Sequence, residues 1–474
     1  ARMIAGICAV LMVIAGAGAV FGWVNLQRAR ASDMAAQKSR NDAEKLVGFL
    51  IEDFYTELEP TGQLDTLGRL AHMTVAYYDG LPAELMTART QIYRAMAMIR
   101  EGSAHKARGD LDAADKDWQA AQSVFEKLQK AGDKSEAVTY GLALALYSQG
   151  FSALDGNGRG TSEQLKKAAD LLRPLVYGDN PSKGTRKTYA DILNVYSHML
   201  PKEQGIVICE EARKVLVGLG ALDLTNLNAA SAYADVTDSQ SRHELYLGRL
   251  TDAQKHSQEV YDIAEKVLAQ RPGDLRSLLN RYFAADMLGT LADRRHDDVA
   301  AKDFTERSVR AAEEYVRFNP SDMSAWEVWV RNLGVSADLQ WERGEIAQSL
   351  ATSRLAVALA QDKRLPSSLE PTLLYEWLRI ARAERQLNHT TASEQAFQKA
   401  LRSNAESIAQ YGSNDPLRNI FTLGENAWRS RLQLIDGQAQ AALDSSIKVI
   451  DKLKKIQIPE SDRNTKLARD NFLR

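Results

Sequence analysis

The pattern of apolar and polar positions divides the chain into an apolar first segment and a long helical remainder. Residues 3–24 read MIAGICAVLMVIAGAGAVFGWV and contain no charged side chain. The hydrocarbon core of a bilayer, about 30 Å thick, needs roughly 20 such residues as a helix. After residue 26, apolar residues recur at the three- and four-residue spacing of a helix face. The pattern predicts a transmembrane helix over 1–25 followed by an all-α region.

A cleaved signal peptide is the alternative for the apolar segment, because residues 15–19 offer small side chains at a cleavage site. We favour an uncleaved span, since the run is long and Trp23 ends it like an interfacial anchor. More basic residues follow the span than precede it, which by itself favours a cytoplasmic C-terminal side. The sequence begins Ala-Arg rather than Met, so we expect a preceding segment, which would alter that count.

Pairs of helices are predicted from about residue 90 onward. In the clearest unit, Gly102 is small where two helices touch, and Gly109 ends the first helix. Ala114, Trp118 and Ala121 then alternate small, large and small. This order matches the tetratricopeptide repeat, a pair of antiparallel helices of about 34 residues that stacks into a solenoid.

The same pattern recurs as a turn residue with a small residue five positions later. The matches are Gly248 with Ala253, Gly344 with Ser349, Asn388 with Ser393, and Gly437 with Ala442. Nine positions after the turn, a large aromatic residue appears only at Trp118 and Phe397, so the repeats are degenerate. Successive turns lie 44 residues apart from Gly344 to Asn388 and 49 apart from Asn388 to Gly437, which predicts lengthened helices or loops.

These patterns predict an α-solenoid in four parts. The transmembrane helix (1–25) precedes juxtamembrane helices (26–90), and repeats follow over 91–222 and 223–474. The 60 basic and 62 acidic residues give a net charge of −2, which provides no global field for nucleic acid. Cys8 and Cys209 are too far apart in the chain to suggest a disulfide framework.

No catalytic, cofactor-binding or metal-binding residues are predicted. The loop at 178–185 has the wrong order of Gly and Lys for a phosphate loop, and 156–160 lacks the strand-turn-helix context of a dinucleotide site. No histidine pair has metal-site spacing, and 296–298 (His-Asp-Asp) is interpreted as a charged turn. Cys209 has no nearby histidine in the sequence to activate it.

Aromatic residues concentrate in one part of the predicted repeats. They are Trp326, Trp329, Trp341, Tyr375 and Trp377. Helical spacing favours a place in the repeat core for them. The alternative is a groove that binds a peptide, because stacked helix pairs leave an extended surface.

The segment AEKLVGFLIEDFYTELEPTGQLD at 43–65 resembles the juxtamembrane module of bacterial membrane-anchored tetratricopeptide proteins. The matching residues are Ala43, Glu44, Phe49, Leu50, Asp53, Leu58, Glu59, Pro60, Gly62, Leu64 and Asp65. Gln63 departs from the family's usual Arg. The resemblance implies an N-terminal signalling or effector module before the span, such as a TIR, kinase or caspase-like domain. It also implies repeats on the periplasmic side of the inner membrane, which we favour over the charge count.

Together, these observations predict a non-catalytic, single-pass membrane scaffold or sensor without a cofactor. We expect it to bind a protein or peptide, or to self-associate as a homo-oligomer, and to pass a signal to an effector. We expect residues 3–24 to contact the membrane and no part to bind nucleic acid. Two alternatives stay open: the regulatory half of an enzyme, and an envelope assembly scaffold without an effector.

Overall fold

Helices form all the regular structure of the described residues. The computed structural model describes residues 64–152, 161–320, 323–362, 370–411 and 416–456, with Lys38, Glu44, Val47, Gly48 and Ile458. These residues form seventeen α-helices and one short 3₁₀ turn, Ala83–Leu85, and no strand. The predicted all-α fold is confirmed.

The chain divides into two compact units, residues 1–178 and 179–474. Unit 1 contains α1 (Leu64–Asp79), α2 (Ala88–Ala107), α3 (Leu111–Lys130), α4 (Glu136–Ser152) and α5 (Ser162–Val176). Unit 2 contains α6 (Lys183–Ser197), α7 (Lys202–Val217), α8 (Leu227–Tyr246), α9 (Leu250–Gln270), α10 (Leu275–Asp293), α11 (Asp298–Phe318), α12 (Met323–Glu342), α13 (Ile346–Asp362), α14 (Glu370–Gln386), α15 (Thr390–Tyr411), α16 (Pro416–Ile435) and α17 (Ala439–Lys455). The division expected at 222/223 stays a prediction.

The single-pass membrane localisation expected from the sequence is contradicted. Among the described residues, no helix is long and apolar enough to cross a bilayer. The longest of them, α15 with 22 residues, carries charged side chains along its length. Residues 3–24, on which the expectation rested, lie outside the described residues, as do most of 43–65 and the loop 156–160.

The turns inside the helix pairs share one backbone geometry. Gly109, Gly248, Gly344, Asn388 and Gly437, the five predicted turn residues, have φ between 65° and 82°. The residue after each turn donates its backbone N–H to the carbonyl five positions earlier, as Asp110 does to His105 at 2.9 Å. This arrangement satisfies carbonyl groups at the end of the first helix and reverses the chain.

His296 occupies a sixth turn of this kind, between α10 and α11. Its φ is 57°, and the next residue, Asp297, donates its N–H to the Ala292 carbonyl at 3.0 Å. The Asp297 side chain accepts the Ala300 N–H and so caps α11. Residues 296–298 therefore form a repeat turn with a helix cap.

Small residues after the turns allow the two helices of each pair to approach closely. Ala114, Ala253 and Ala442, five positions after their turns, are buried. Ser349 and Ser393 are buried at the same position, and each Oγ donates to a carbonyl of the preceding helix at 2.7 Å. Hydroxyls at this position thus replace the alanine methyl while keeping their hydrogen bonds satisfied.

In unit 1, Trp118 of α3 packs on the glycine of α2. A Cβ atom at Gly102 would lie 2.5 Å from Nε1 of Trp118, so only glycine leaves room for the ring. Trp118 Nε1 donates to the Ile99 carbonyl at 3.2 Å, and Ala121 is buried one turn further along α3. The small and large residues noted in the sequence thus lie at the α2–α3 contact.

In unit 2, successive helix pairs stack in a regular order. Each second helix, α7, α9, α11, α13 and α15, contacts its own partner and the first helix of the next pair. First helices also contact each other directly: α6 with α8, α8 with α10, α12 with α14, and α14 with α16. We call α6, α8, α10, α12, α14 and α16 the first-helix layer. This stacking is the arrangement of a helical-repeat solenoid.

Candidate binding site

Helix α14 presents different chemistry on two opposite sides. At roughly 100° per residue, Tyr375, Arg379 and Arg382 fall on one side of the helix, and Trp377 and Glu384 fall about half a turn away. Arg379 and Arg382 of the first group contact α12, and Arg382 also contacts α16. The second group faces α13 and α15. The two sides are therefore separate candidate surfaces.

Arg379 joins α14 to α12 through a two-pronged ion pair with Asp338. Arg379 Nε and Nη2 donate to the two Asp338 oxygens at 2.9 and 2.6 Å. Its third nitrogen, Nη1, donates to Glu376 at 2.6 Å. Planar guanidinium and carboxylate groups match in this geometry, which fixes orientation as well as charge. The pair sets the register between two first helices.

Arg382 contacts aromatic rings from both neighbouring first helices. Its guanidinium carbon lies 3.9 Å from the ring centroid of Trp341 on α12 and 4.9 Å from that of Trp428 on α16. Arg431 also lies against Trp428, at 4.9 Å. We call Asp338, Trp341, Arg379, Arg382, Trp428 and Arg431 the arginine–tryptophan cluster. Cation–π contacts of this kind are stronger where water is excluded.

The cluster holds more positive charge than its one shared carboxylate offsets. Burial lowers the pKa of Arg382 to about 10, and the positive charges of Arg431 and Arg379 act in the same direction against Asp338. Burial acts to raise the pKa of Asp338, but Arg379 and Arg382 outweigh it and hold that pKa below its usual value. Burial raises the pKa of Glu376, against the opposing effect of Arg379. The cluster thus favours a negatively charged or polar partner group.

A second set of charges joins the other end of the first-helix layer. Arg276 of α10 pairs with Asp191 of α6 at 2.7 Å and with Asp235 of α8. Lys187 pairs with the same Asp191 at 2.9 Å. One arginine therefore ties together three successive first helices, which fixes this surface before any partner binds.

The five aromatic residues, for which a place in the repeat core was favoured over a binding groove, are distributed over three places. Trp326 and Trp329 lie 5.7 Å apart and pack on a core cluster formed with α10 and α11. Trp341 and Tyr375 lie on the side of the arginine–tryptophan cluster, with Tyr375 6.0 Å from Arg379. Trp377 faces the opposite side of α14. Trp341, Tyr375 and Trp377 are nevertheless all partly buried and pack on one core cluster, and a partner-binding groove formed by the five residues stays a prediction.

A cleft of about 290 Å³ lies between α13, α14 and α15. Its lining is apolar at the base and polar at the rim. The residues that line it are Arg354, Val357, Ala358, Gln361, Trp377, Ile380, Glu384, Ala392, Gln395, Ala396 and Lys399. Lys399 Nζ lies 4.3 Å from the ring centroid of Trp377. We call this the α13–α15 cleft.

Groups that resemble catalytic machinery are buried inside the helix pairs. His243 Nε2 lies 3.2 Å from Ser197 Oγ, and both side chains are inaccessible to a substrate. Burial raises the pKa of the Cys209 thiol to about 12, which keeps it protonated. Within the described residues, no group of three histidine, cysteine or acidic side chains has the arrangement to hold a metal ion.

The sequence alone did not reveal the charged members of the cluster. Asp338, Arg379, Arg382 and Arg431 carried no recognised motif, and Trp428 was not included with the other aromatic residues. The available signal was the Tyr375–Arg379–Arg382 spacing, which places an aromatic and two cations on one helix face. Identifying the partners across the pairs needed the register between α12, α14 and α16.

No family model matches the chain, and no curated protein matches it. Among solved structures, it is similar to the apo form of RapI, with a TM-score of 0.51 and 12% identity over 87% of this chain and 100% of that one. It is also similar to aspartyl phosphate phosphatase F from Bacillus subtilis (TM-score 0.45, 14% identity, 88% and 97% covered). A third similar structure is a signal-transduction ATPase with a tetratricopeptide repeat sensor from Pyrococcus horikoshii. Its TM-score is 0.42 at 12% identity, over 81% of this chain and 52% of that one.

The similarity to RapI shows a shared helical-repeat fold. The helical-repeat part of the sequence resemblance is therefore confirmed. The effector module implied by residues 43–65 finds no support in these similar structures.

Proposed function

We propose that this chain is a non-catalytic helical-repeat scaffold that binds a protein or peptide through the first-helix layer of unit 2. The observation that carries the proposal is the contact of Arg382 with Trp341 and Trp428, which brings three first helices into one cluster. Tryptophan and arginine are the residues most enriched at the energetic centres of protein interfaces. Arg382 and Trp428 are themselves buried, so a partner would contact the accessible members of the cluster, Trp341, Asp338 and Arg431. A stacked repeat array presents such a surface in rigid, extended form.

The electrostatics of the cluster favour a polar or acidic contact on the partner. Asp338 is partly exposed, with 42% of its side chain accessible, and Arg431 is exposed beside Trp428. Burial is the main cause of the lowered pKa of Arg382, and the positive charge of Arg431 adds to it. A partner carboxylate beside Arg431 would offset that added repulsion. Because Arg379 and Asp338 already fix each other, a partner would meet a preorganised surface and lose little entropy on binding.

The occupant of this surface is either another protein or a second copy of the chain. Heterologous binding is our first choice, since repeat arrays use this layer for partners. Self-association is the second choice, and sedimentation of the isolated chain separates the two. Coupling to a signalling effector is a further proposal, supported only by the resemblance of residues 43–65.

Site-specific photo-crosslinking tests the proposal. The photoreactive residue p-benzoylphenylalanine replaces Val335, an exposed residue of α12, in the full chain expressed in its own cells. The matched control places it at Ile447, an equally apolar exposed residue on the second helix α17. We expect a protein adduct at residue 335 and little at 447. Equal adducts at both positions, or none at 335, would contradict the proposal.

A further inference from the structure

The α13–α15 cleft lies on the side of α14 opposite to the arginine–tryptophan cluster. Second helices α13 and α15 form its walls, and the first helix α14 lies between them. Trp377 and Ile380 enter it from α14, whereas Arg379 and Arg382 point toward α12 and α16. A ligand in this cleft would therefore bind independently of the surface proposed above.

The size and base of the cleft suit one large side chain. Val357, Ile380 and Ala396 are buried at its base, and Trp377 is partly exposed. The volume of about 290 Å³ lies at the lower limit of small-molecule sites, which span roughly 300–1,000 Å³. An aromatic or long aliphatic side chain would cover this apolar base without requiring a deeper cavity.

The charges at the rim are unequal. Glu384 is almost fully buried and is shared by two donors, Arg354 and His389, the latter at 2.8 Å. Lys399 is exposed and lies against the Trp377 ring, and within the described part of unit 2 no ion pair joins it to a carboxylate. The rim of the cleft therefore carries one acidic side chain, Glu384, and two basic ones, Arg354 and Lys399. This leaves a net positive charge at the mouth of the cleft.

We propose that the α13–α15 cleft binds an acidic segment of a partner protein that inserts one large apolar side chain. The inserted side chain packs on Val357, Ile380 and Trp377. A neighbouring aspartate or glutamate of the segment pairs with Lys399, which keeps its alkyl chain on the Trp377 ring. This cleft is a second docking site, separate from the first-helix layer.

Two pairs of variants of the full chain separate cleft binding from general effects. Ala358→Trp fills the mouth of the cleft, and Leu355→Trp adds the same side chain at an exposed position of the same helix outside the lining. Lys399→Glu reverses the rim charge, and Lys448→Glu makes the same change on α17. All four positions are exposed, and circular dichroism with thermal unfolding checks that each variant is folded.

The probe is a display library of random 12-residue peptides selected on the full chain. We expect enriched peptides to carry a large apolar residue within a few positions of aspartate or glutamate. Enrichment should be lost on Ala358→Trp and Lys399→Glu and kept on both controls. If no peptide is enriched, or if enrichment is the same on Ala358→Trp and Lys399→Glu as on the parent chain, the proposal is wrong. Enrichment of basic peptides that is lost on these variants would also overturn it.

A titration of the most enriched peptide, labelled with fluorescein, gives the magnitude. We expect Lys399→Glu to weaken binding at least ten-fold, Lys448→Glu to change it less than two-fold, and added salt to weaken it. A single-stranded RNA 20-mer is titrated in parallel. If the RNA binds and Lys399→Glu abolishes that binding while no peptide binds, the cleft takes nucleic acid and the peptide proposal is wrong.

Discussion

The guanidinium carbon of Arg382 lies 3.9 Å from the ring centroid of Trp341, on the neighbouring first helix. The same guanidinium lies 4.9 Å from Trp428, on the first helix of the following pair. One side chain therefore connects three consecutive helix pairs. The register of unit 2 and its proposed binding surface depend on the same residue.

Replacing Arg382 with lysine tests this connection. The planar guanidinium of Arg382 stacks on two rings, whereas the compact ammonium group of lysine cannot. The ammonium group keeps only part of the contact with Asp338. We expect Arg382→Lys to lower the free energy of unfolding by about 1–2 kcal/mol. Urea unfolding followed by tryptophan fluorescence measures this.

The matched control is Arg385→Lys on the same helix. Arg385 forms a two-pronged pair with Asp436, at 2.7 and 2.6 Å, near the surface. Ion pairs near the surface contribute about 0–1 kcal/mol, with two-pronged pairs at the upper end. An effect of Arg385→Lys equal to that of Arg382→Lys would mean that the tryptophan contacts add nothing.

Gly102→Ala tests the close approach of α2 and α3. The new methyl carbon would lie 2.5 Å from Nε1 and 2.8 Å from Cδ1 of Trp118, so the ring must move away from the Ile99 carbonyl. We expect a loss of about 1–3 kcal/mol in the stability of unit 1, as for other overpacked cores. Gly80→Ala is the control, because its nearest heavy atom lies at an ordinary 3.5 Å. We expect the unfolding free energy of Gly80→Ala to lie within about 0.5 kcal/mol of the parent value. Thermal unfolding followed by circular dichroism measures both variants.

Asp117 makes the stability of unit 1 depend on pH. Burial, together with the negative charge of Glu101, raises the pKa of its carboxyl to about 6, against the opposing effect of His105. Because the folded-state pKa lies above the unfolded value near 3.8, the protonated carboxyl stabilises the fold at low pH. That contribution is present below about pH 4 and is lost as the pH rises through 6.

The measurement is the difference in unfolding free energy between the parent and Asp117→Asn at several pH values. One pKa unit corresponds to about 1.4 kcal/mol, and partial exposure reduces the effect, so we expect a decrease of about 1 kcal/mol from pH 4 to 7. Asp112→Asn, on the exposed side of the same helix, is the matched control. A difference that is flat with pH, or that rises, would contradict the assignment to Asp117.

Cys209 should resist modification in the folded protein. It lies on α7 and is fully buried, and burial raises the pKa of its thiol to about 12. With Cys8 replaced by alanine, we expect maleimide labelling near pH 8 to be slow in buffer and fast in guanidinium chloride. Rapid labelling in buffer, measured by intact mass, would show that α7 opens easily.

The repeat turns could be predicted from the sequence, because the geometry required there restricts the residue type. Glycine and asparagine tolerate positive φ, and Gly109, Gly248 and Asn388 were recognised as turn residues with a small residue five positions later. His296 adopts the same conformation. It was interpreted as part of a charged turn but was not recognised as a repeat turn, because histidine is less common than glycine or asparagine at positive φ. Its Asp297 cap was the remaining signal.

The arginine–tryptophan cluster could not be predicted in the same way. Its members come from α12, α14 and α16, and which residues meet depends on the length of every helix between them. The helices are 17 to 22 residues long in this region, so the 34-residue repeat gives the wrong register. Trp341 and Trp377 were grouped by their closeness in sequence, yet they lie on different surfaces.

The most direct test of the central claim is charge reversal at the rim of the cluster. Arg431→Glu and the control Arg402→Glu, an exposed arginine on the second helix α15, are each combined with the photoreactive residue at 335. The measured quantity is the yield of the protein adduct in cells, normalised to the amount of chain. We predict that Arg431→Glu reduces the yield at least five-fold and that Arg402→Glu leaves it unchanged. Equal yields from the two variants would contradict binding through the first-helix layer.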